Sequence, residues 1–239
     1  MNGTDEARTI LMVAAHPDDL DFGCAASTAQ WTDQGDRVVY CIVTDGQAGG
    51  FDNTISRVDM AQIRRREQTD AAKVVGVTEI HFLGYEDGKV TPSFELRKDI
   101  SRVIRQVKPD LVVTQSPQRN YERIYASHPD HLAVGEATLC AVYPEARNEF
   151  AYPELLADEG LEPHTAPEVY LVAHPNANVW NDITDTFDRK VEALLCHDSQ
   201  MRDPSGLPDR MRAWGAAQAK AGGLGDDRLA ESFLRIDTA

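Results

Sequence analysis

Apolar runs alternate with amphipathic stretches along the first two-thirds of this chain, and that alternation constrains the fold more than any other feature. Thr9–Ala15 (TILMVAA) is a continuous apolar run, the pattern of a strand buried on both faces of a parallel sheet. Phe22–Gln34 follows as a predicted helix, and Arg37–Thr44 (RVVYCIVT) as a second strand. Ser56–Val75 reads as a helix stopped by Gly76, and Glu79–Leu83 as a short strand. Thr91 and Pro92 look like an N-cap and a first-turn proline, opening a helix that runs to Val107. Its stripe is Leu96, Ile100, Val103, Ile104 and Val107, and Asp110–Thr114 is the next strand. Strands that alternate with helices in this way predict βαβ units. The expected fold is α/β, a doubly wound and mostly parallel sheet with helices on both faces.

The rest of the chain is less regular. Glu168–Val172 predicts a strand, Phe187–His197 a helix, Met211–Ala221 a weak helix ended by Gly222 and Gly223, and Phe233–Ile236 a last strand. No repeat, low-complexity tract or linker divides the 239 residues, so one domain is expected, with a core over about 8–200 and a C-terminal addition over about 201–239. A chain of this length buries about 70–75% of its unfolded surface. Lys plus Arg is 24 against 39 for Asp plus Glu, a formal charge of −15. That disfavours nucleic acid and an anionic membrane surface, which both call for cationic side chains. Cys24, Cys41, Cys140 and Cys196 show no CxxC spacing and fit reduced thiols in a cytoplasmic chain. Met1–Thr9 carries Asp5 and Glu6 and no apolar run of a signal peptide, and no stretch approaches the roughly 18 residues of a membrane span. The partner expected is a small molecule. A homo-oligomer is compatible with all of this.

Two clusters carry chemistry. The first strand ends in His16-Pro17-Asp18-Asp19. Open α/β sheets bind ligands beyond the carboxyl ends of their strands. A dinucleotide site would place a Gly-rich turn here; this chain places an imidazole and two carboxylates. The alternative reading is an Asp-rich N-cap. The second cluster, Ser127-His128-Pro129-Asp130-His131, follows the fourth strand, and Ser127 with Asp130 resembles a capping box. Histidines at i and i+3 then share one helix face. Together the clusters offer His16, one of Asp18 and Asp19, and one of His128 and His131. Such a His₂-carboxylate set suits a catalytic zinc, with iron(II) or another divalent ion as the alternative.

These motifs resemble the two signatures of the PIG-L/LmbE family, zinc-dependent N-deacetylases of N-acetylglucosamine-type substrates on a Rossmann-like fold. Arg64-Arg65-Arg66-Glu67, Ala71–Val77, Phe82–Gly88, Lys190–Leu194 and His197–Gln200 extend the resemblance over roughly residues 8–200. The resemblance implies that His16, Asp19 and His131 ligate Zn²⁺. It makes Asp18 the general base and His128 the group facing the oxyanion, with Asp130 orienting His128. Arg64 and Asp87 match positions that hold the sugar. Leu20 stands where many members carry Glu, with Asp21 next to it as a replacement. Either Tyr121 or Tyr125 matches a family tyrosine that assists the oxyanion. The implied reaction is hydrolysis of an N-acetyl or similar N-acyl group on an amino sugar or related small molecule.

The chemistry is reasonable on its own terms. An amide needs an activated water and charge stabilisation at its oxygen, which a zinc ion, a carboxylate base and an imidazole supply. A different metallohydrolase, such as a phosphoesterase whose second metal takes Asp45 or Asp87, is the competing reading. A non-catalytic binding module is a third. On the second helix, Met60, Ile63, Glu67, Ala71 and Val74 recur at helical spacing, which puts Glu67 on the apolar stripe with Arg64 as its expected partner. His81, His164, His174 and His197 read as structural.

Overall fold

The computed structural model describes residues 7–239, so Asp5 and Glu6 lie outside the described residues. A seven-stranded sheet runs through the molecule in the order β3-β2-β1-β4-β5-β7-β6. The strands are β1 (Thr9–Ala14), β2 (Arg37–Thr44), β3 (Glu79–Tyr85), β4 (Leu111–Gln115), β5 (Glu168–Val172), β6 (Val179–Asp182) and β7 (Ala230–Asp237). The first five pair in parallel, and β7 pairs antiparallel with both β5 and β6. The mostly parallel α/β expectation is therefore met.

Side chains alternate across a strand, so each buried strand feeds two cores. On one face Leu11, Val13 and Ala15 pack with Leu96, Ile100 and Ile104 of α3 (Phe94–Val107) and Val134 of α4 (Pro129–Cys140). On the other, Ile10, Met12 and Ala14 pack with Cys24 and Ala25 of α1 (Asp19–Asp33) and Ala71 and Ala72 of α2 (Arg57–Val74). The α3 stripe read from the sequence is buried as a whole.

Boundaries differ where polar side chains decide them. α1 starts at Asp19 rather than Phe22, because the His-Pro-Asp-Asp turn feeds straight into it. The cap of α3 is Ser93, whose hydroxyl accepts from the Leu96 N–H, and not Thr91. α4 is capped by His128, not by Ser127. Ser127 instead accepts from the Asn120 N–H and closes the loop before the helix. The sequence reading missed β6 (VWND), a short edge strand with half-buried residues. It also missed the short α5 (Pro153–Ala157). After α6 (Phe187–Leu195), residues past 201 form α7 (Leu207–Ala221) and β7. β7 lies between two other strands, so this segment completes the sheet rather than extending the core. Among the described residues no helix is long and apolar enough to cross a membrane, and all four cysteines are free.

Candidate active site

The strand order reverses direction between β1 and β4, and this switch point opens a crevice at their carboxyl ends. The Gln115 side-chain oxygen at the end of β4 accepts from the Ala15 N–H (3.0 Å), which fixes the two strand ends against each other. His16 leaves β1 at that place, and the turn closes when its N–H donates to Asp19 Oδ2 (2.7 Å).

Three donor groups converge there. His16 Nδ1 lies 3.3 Å from Asp19 Oδ2, and His131 Nε2 lies 3.0 Å from Asp19 Oδ1 and 3.3 Å from His16 Nδ1. Ligands bound about 2.0–2.2 Å from one tetrahedral ion stand roughly 3.3–3.5 Å apart, so this spacing fits a single zinc-like cation. The other nitrogen of His16, Nε2, lies 3.2 Å from both Asp87 Oδ1 and Asp130 Oδ2. A metal-binding histidine whose second nitrogen meets a carboxylate is the usual supporting arrangement. Burial alone lowers the His16 pKa, but Asp19, Asp130 and Asp87 reverse this and hold it up to about 12. Burial likewise opposes ionisation of Asp19, but His131 and His16 outweigh it and hold its carboxyl well below its usual range. A buried imidazole ringed by carboxylates is a site that favours positive charge.

Asp18 and Asp19 are adjacent but face different partners. Asp18 adopts a left-handed backbone (φ 90°) that turns its carboxylate away from Asp19's imidazoles and onto Arg64 Nη2 (2.9 Å). Burial raises its pKa to about 6 against the opposing pull of Arg64. Arg64 is 3% exposed and also donates to the carbonyls of Gly46 and Pro17. Gly46 itself has φ +61°, and a Cβ there would overlap the Arg64 guanidinium. The expected Arg64–Glu67 pair does not form. Glu67 accepts from the N–H and hydroxyl of Ser199 (both 2.7 Å).

His128 caps α4 by accepting the Asp130 N–H at its Nδ1 (3.2 Å). Since Nδ1 accepts, a neutral ring carries its proton on Nε2, as a donor. Burial, aided by His16 and His131, lowers its pKa and favours that neutral form. The Asp130 carboxylate does not orient His128 as expected. It turns inward, accepting from the Gly88 N–H (2.7 Å) and Val90 N–H (3.2 Å) and facing His16. Asp87 lies at the cavity wall, yet both its oxygens are engaged, one toward His16 and one by the Ala48 N–H (2.8 Å). Asp45, the other acid considered for a second metal, is held by Arg65 (2.7 and 2.9 Å).

Two cavities meet at this centre. The smaller, about 350 Å³, holds His16, Asp18, Arg64, Asp87, His128 and His131. The larger, about 600 Å³, starts at Asp19 and His131 and runs between α1, the end of β5 and α7. Tyr125 lines both cavities, whereas Tyr121 is 83% exposed and lines neither.

A family model described as PIG-L, GlcNAc-PI de-N-acetylase, matches residues 11–142. The chain belongs to this family. A diacetylchitobiose deacetylase of Thermococcus kodakarensis is 33% identical over 196 residues, covering 82% of this chain and 71% of the relative. A probable N-acetyl-alpha-D-glucosaminyl L-malate deacetylase 2 of Bacillus cereus is 30% identical over 200 residues, covering 81% and 84%. Among solved structures, the N,N'-diacetylchitobiose deacetylase from Pyrococcus horikoshii superposes with a TM-score of 0.88 at 30% identity over 97% of this chain and 85% of that one. A 4-carboxy-2-hydroxymuconate hydratase from Pseudomonas putida, at 20% identity, shares the fold with a TM-score of 0.79 over 97% of each chain.

In this PIG-L chain a buried polar row behind the motif escaped the sequence reading. Gln68 Oε1 accepts the Asp18 N–H (2.8 Å), Gln68 Nε2 donates to Asp21 Oδ2 (2.8 Å), and His197 Nε2 lies 2.8 Å from the same oxygen. Gln68, Asp21 and His197 are each fully buried. The sequence signal was the late His197–Gln200 segment, matched to the family without a partner.

Proposed function

We propose that this PIG-L member hydrolyses the N-acetyl group of an amino sugar, releasing acetate and the free amine. His16, Asp19 and His131 would hold a divalent ion, with zinc the ion their donor set suits best. Bound there, zinc supplies Lewis acidity toward a carbonyl oxygen and makes water acidic near neutral pH. Asp18 accepts the proton of the attacking water at its carboxylate and later delivers it to the departing amine. Arg64 keeps that carboxylate aimed into the cavity. His128 donates its Nε2 proton toward the developing oxyanion. Asp87 and Asp130 act through His16, fixing its ring with Nδ1 presented to the ion.

The observation that carries this reading is the mutual 3.0–3.3 Å spacing of His16 Nδ1, Asp19 and His131 Nε2 beside an Arg64-held Asp18. Relatives at 33% and 30% identity named as deacetylases of acetylated sugars support the substrate class. Those two relatives differ in the group attached to the sugar. Amine release from N-acetylglucosamine glycosides, with added zinc and after chelation, tests the reading. Zinc-dependent release that disappears in His131→Ala together with bound metal is expected. Full activity in metal-free protein would refute it.

A further inference from the structure

α1 is broken at Cys24, whose backbone (φ −156°, ψ 26°) lies outside the helical range. The local sequence does not impose the break. Ala25 and Ala26 are the best helix formers, no proline is near, and Gly23 permits a bend without requiring one. A side chain that enters the i→i−4 ladder is a known cause of such a kink, and here two side chains do so. In an unbroken helix the Ala26 N–H would donate to the Phe22 carbonyl, and the Ser27 N–H to the Gly23 carbonyl. In α1 the Ala26 N–H donates to Glu231 Oε1 (3.3 Å) and the Ser27 N–H to Glu231 Oε2 (2.8 Å). The Phe22 carbonyl accepts from Lys190 Nζ (2.8 Å), which also donates to Glu231 Oε1 (2.5 Å). The buried ion pair therefore bridges the break, from the Ala26 N–H through Glu231 and Lys190 to the Phe22 carbonyl.

The turn in front of the break belongs to the active site. It runs from Asp18 to Gly23, and the Phe22 N–H closes it on the Asp18 carbonyl (2.9 Å). It carries Asp19, one of the three converging donors, and Phe22, which lines the larger cavity. The Lys190 ammonium also stands 5.2 Å from the ring centre of Trp214, a cavity-lining residue on α7. Lys190, Trp214 and Glu231 all lie outside residues 11–142, the span that the family model matches.

We infer that Lys190 and Glu231 are positioning residues for the metal centre. Inserted into the broken ladder of α1, they set the direction of its first turn and hold Asp19 against His16 and His131. The segment after residue 201, which brings in Glu231 on β7, thereby completes the active site as well as the sheet. The inference rests on the reading of that centre as a zinc site.

The test replaces both residues, Lys190→Met together with Glu231→Leu. The exchange leaves the net charge of the chain unchanged. A buried ion pair exchanged for apolar side chains of similar size is often neutral or stabilising, so the fold and Tm are expected to hold. The Ala26 N–H and the Phe22 carbonyl then have only each other, so the ladder closes through Cys24 and the first turn swings with it. Zinc affinity, measured against a competing chelator, should fall by about tenfold or more, as when a group that supports a metal ligand is removed. A crystal structure of the variant should show α1 continuous and Asp19 displaced from His16 and His131. A brace that serves stability alone would change Tm and leave zinc affinity as in wild type; that result, or an α1 still broken at Cys24, overturns the inference. If the wild-type protein binds no zinc, the metal reading fails by itself and the crystal structure decides the positioning role. Should the double variant fail to fold, Lys190→Met alone, kept below its own transition temperature, carries the same test. Removing a cation near the centre would by charge alone tighten zinc binding. Weaker binding in Lys190→Met therefore upholds the positioning role, and unchanged or tighter binding overturns it.

Discussion

Replacing Gln68 by Leu should damage both the fold and the reaction, because this amide joins the strained turn of the first motif to a buried carboxylate. The side chain has similar volume and reaches the same place, so the loss is of hydrogen bonds rather than packing. The Asp18 N–H loses its acceptor at 2.8 Å, and a buried unsatisfied donor costs about 1–3 kcal/mol. Asp21 loses a donor at 2.8 Å, a bond to a charged group worth about 1.5–3 kcal/mol, partly compensated because His197 stays in place. A net loss of about 3 kcal/mol follows, which for a chain of this size lowers Tm by roughly 6–12 °C. The catalytic consequence is separate. Asp18 holds φ 90°, a conformation that survives only where surrounding contacts over-determine it. Without the Gln68 oxygen the carboxylate leaves its position, and a displacement of about 1 Å costs on the order of 100-fold in rate. Thermal unfolding and steady-state amine release from an N-acetylglucosamine glycoside, measured on the folded fraction, check both parts. A folded Gln68→Leu protein with kcat within twofold of wild type would refute the claim that this amide positions Asp18.

Asp130→Asn should weaken zinc binding by about 10–100-fold, measured against a competing chelator, because it removes the negative charge facing His16 Nε2. Glu231→Gln should destabilise by about 3–5 kcal/mol in urea unfolding. It leaves Lys190 buried without its counter-charge and weakens the bonds from the Ala26 and Ser27 N–H groups. The buried His197–Asp21 pair gives a pH signature. Burial opposes protonation of His197, but Asp21 overcomes it and raises the pKa above the ordinary 6.5. The pair's stabilisation is therefore fully present below about pH 6.5 and lost as pH rises through the raised value. A Tm–pH curve should fall across that window in wild type and be flatter in His197→Asn.

The metal-ligand candidates were legible because each is local. A strand end followed by His-Pro-Asp-Asp, and a helix start carrying two histidines, place their side chains with little freedom. What was not legible depends on contacts distant in sequence. The apolar stripe of α2 was read from Met60, Ile63, Glu67, Ala71 and Val74; Met60 and Ala71 are buried, yet the buried face also includes Arg64 and Gln68. Those polar residues are buried because they face the motif turn rather than the hydrophobic core, and hydrophobic periodicity carries no trace of that. Asp130 was paired with His128 through the family resemblance. The helix begins one residue later than the capping-box reading required, so the carboxylate points to Gly88 and Val90 in the loop before α3. The α7 wall of the larger cavity has no motif at all. Its residues line the same cavity as His131 because α7 packs against β7 and α6, contacts far from the motifs in sequence.

The division of labour among the carboxylates comes from their neighbours, and Arg64 offers the sharpest test of that. Asp19 and Asp130 are held below the usual carboxylate range by histidines and N–H groups, whereas burial raises Asp18 to about 6 despite Arg64. Environments that push like groups apart let one site hold carboxylates of low and of raised pKa side by side. Arg64→Lys preserves the charge that opposes the rise in the Asp18 pKa. It does not preserve the geometry, because one ammonium cannot reproduce a planar fork that meets Gly46 O, Pro17 O and Asp18 Oδ2 together. If position matters more than charge, the lysine variant should keep wild-type zinc content and lose kcat by about tenfold or more, the loss of one hydrogen bond to a charged group. If charge alone matters, kcat should stay near wild type. Wild-type kcat in Arg64→Lys would therefore reject the positioning role and make the Arg64–Asp18 contact a simple ion pair.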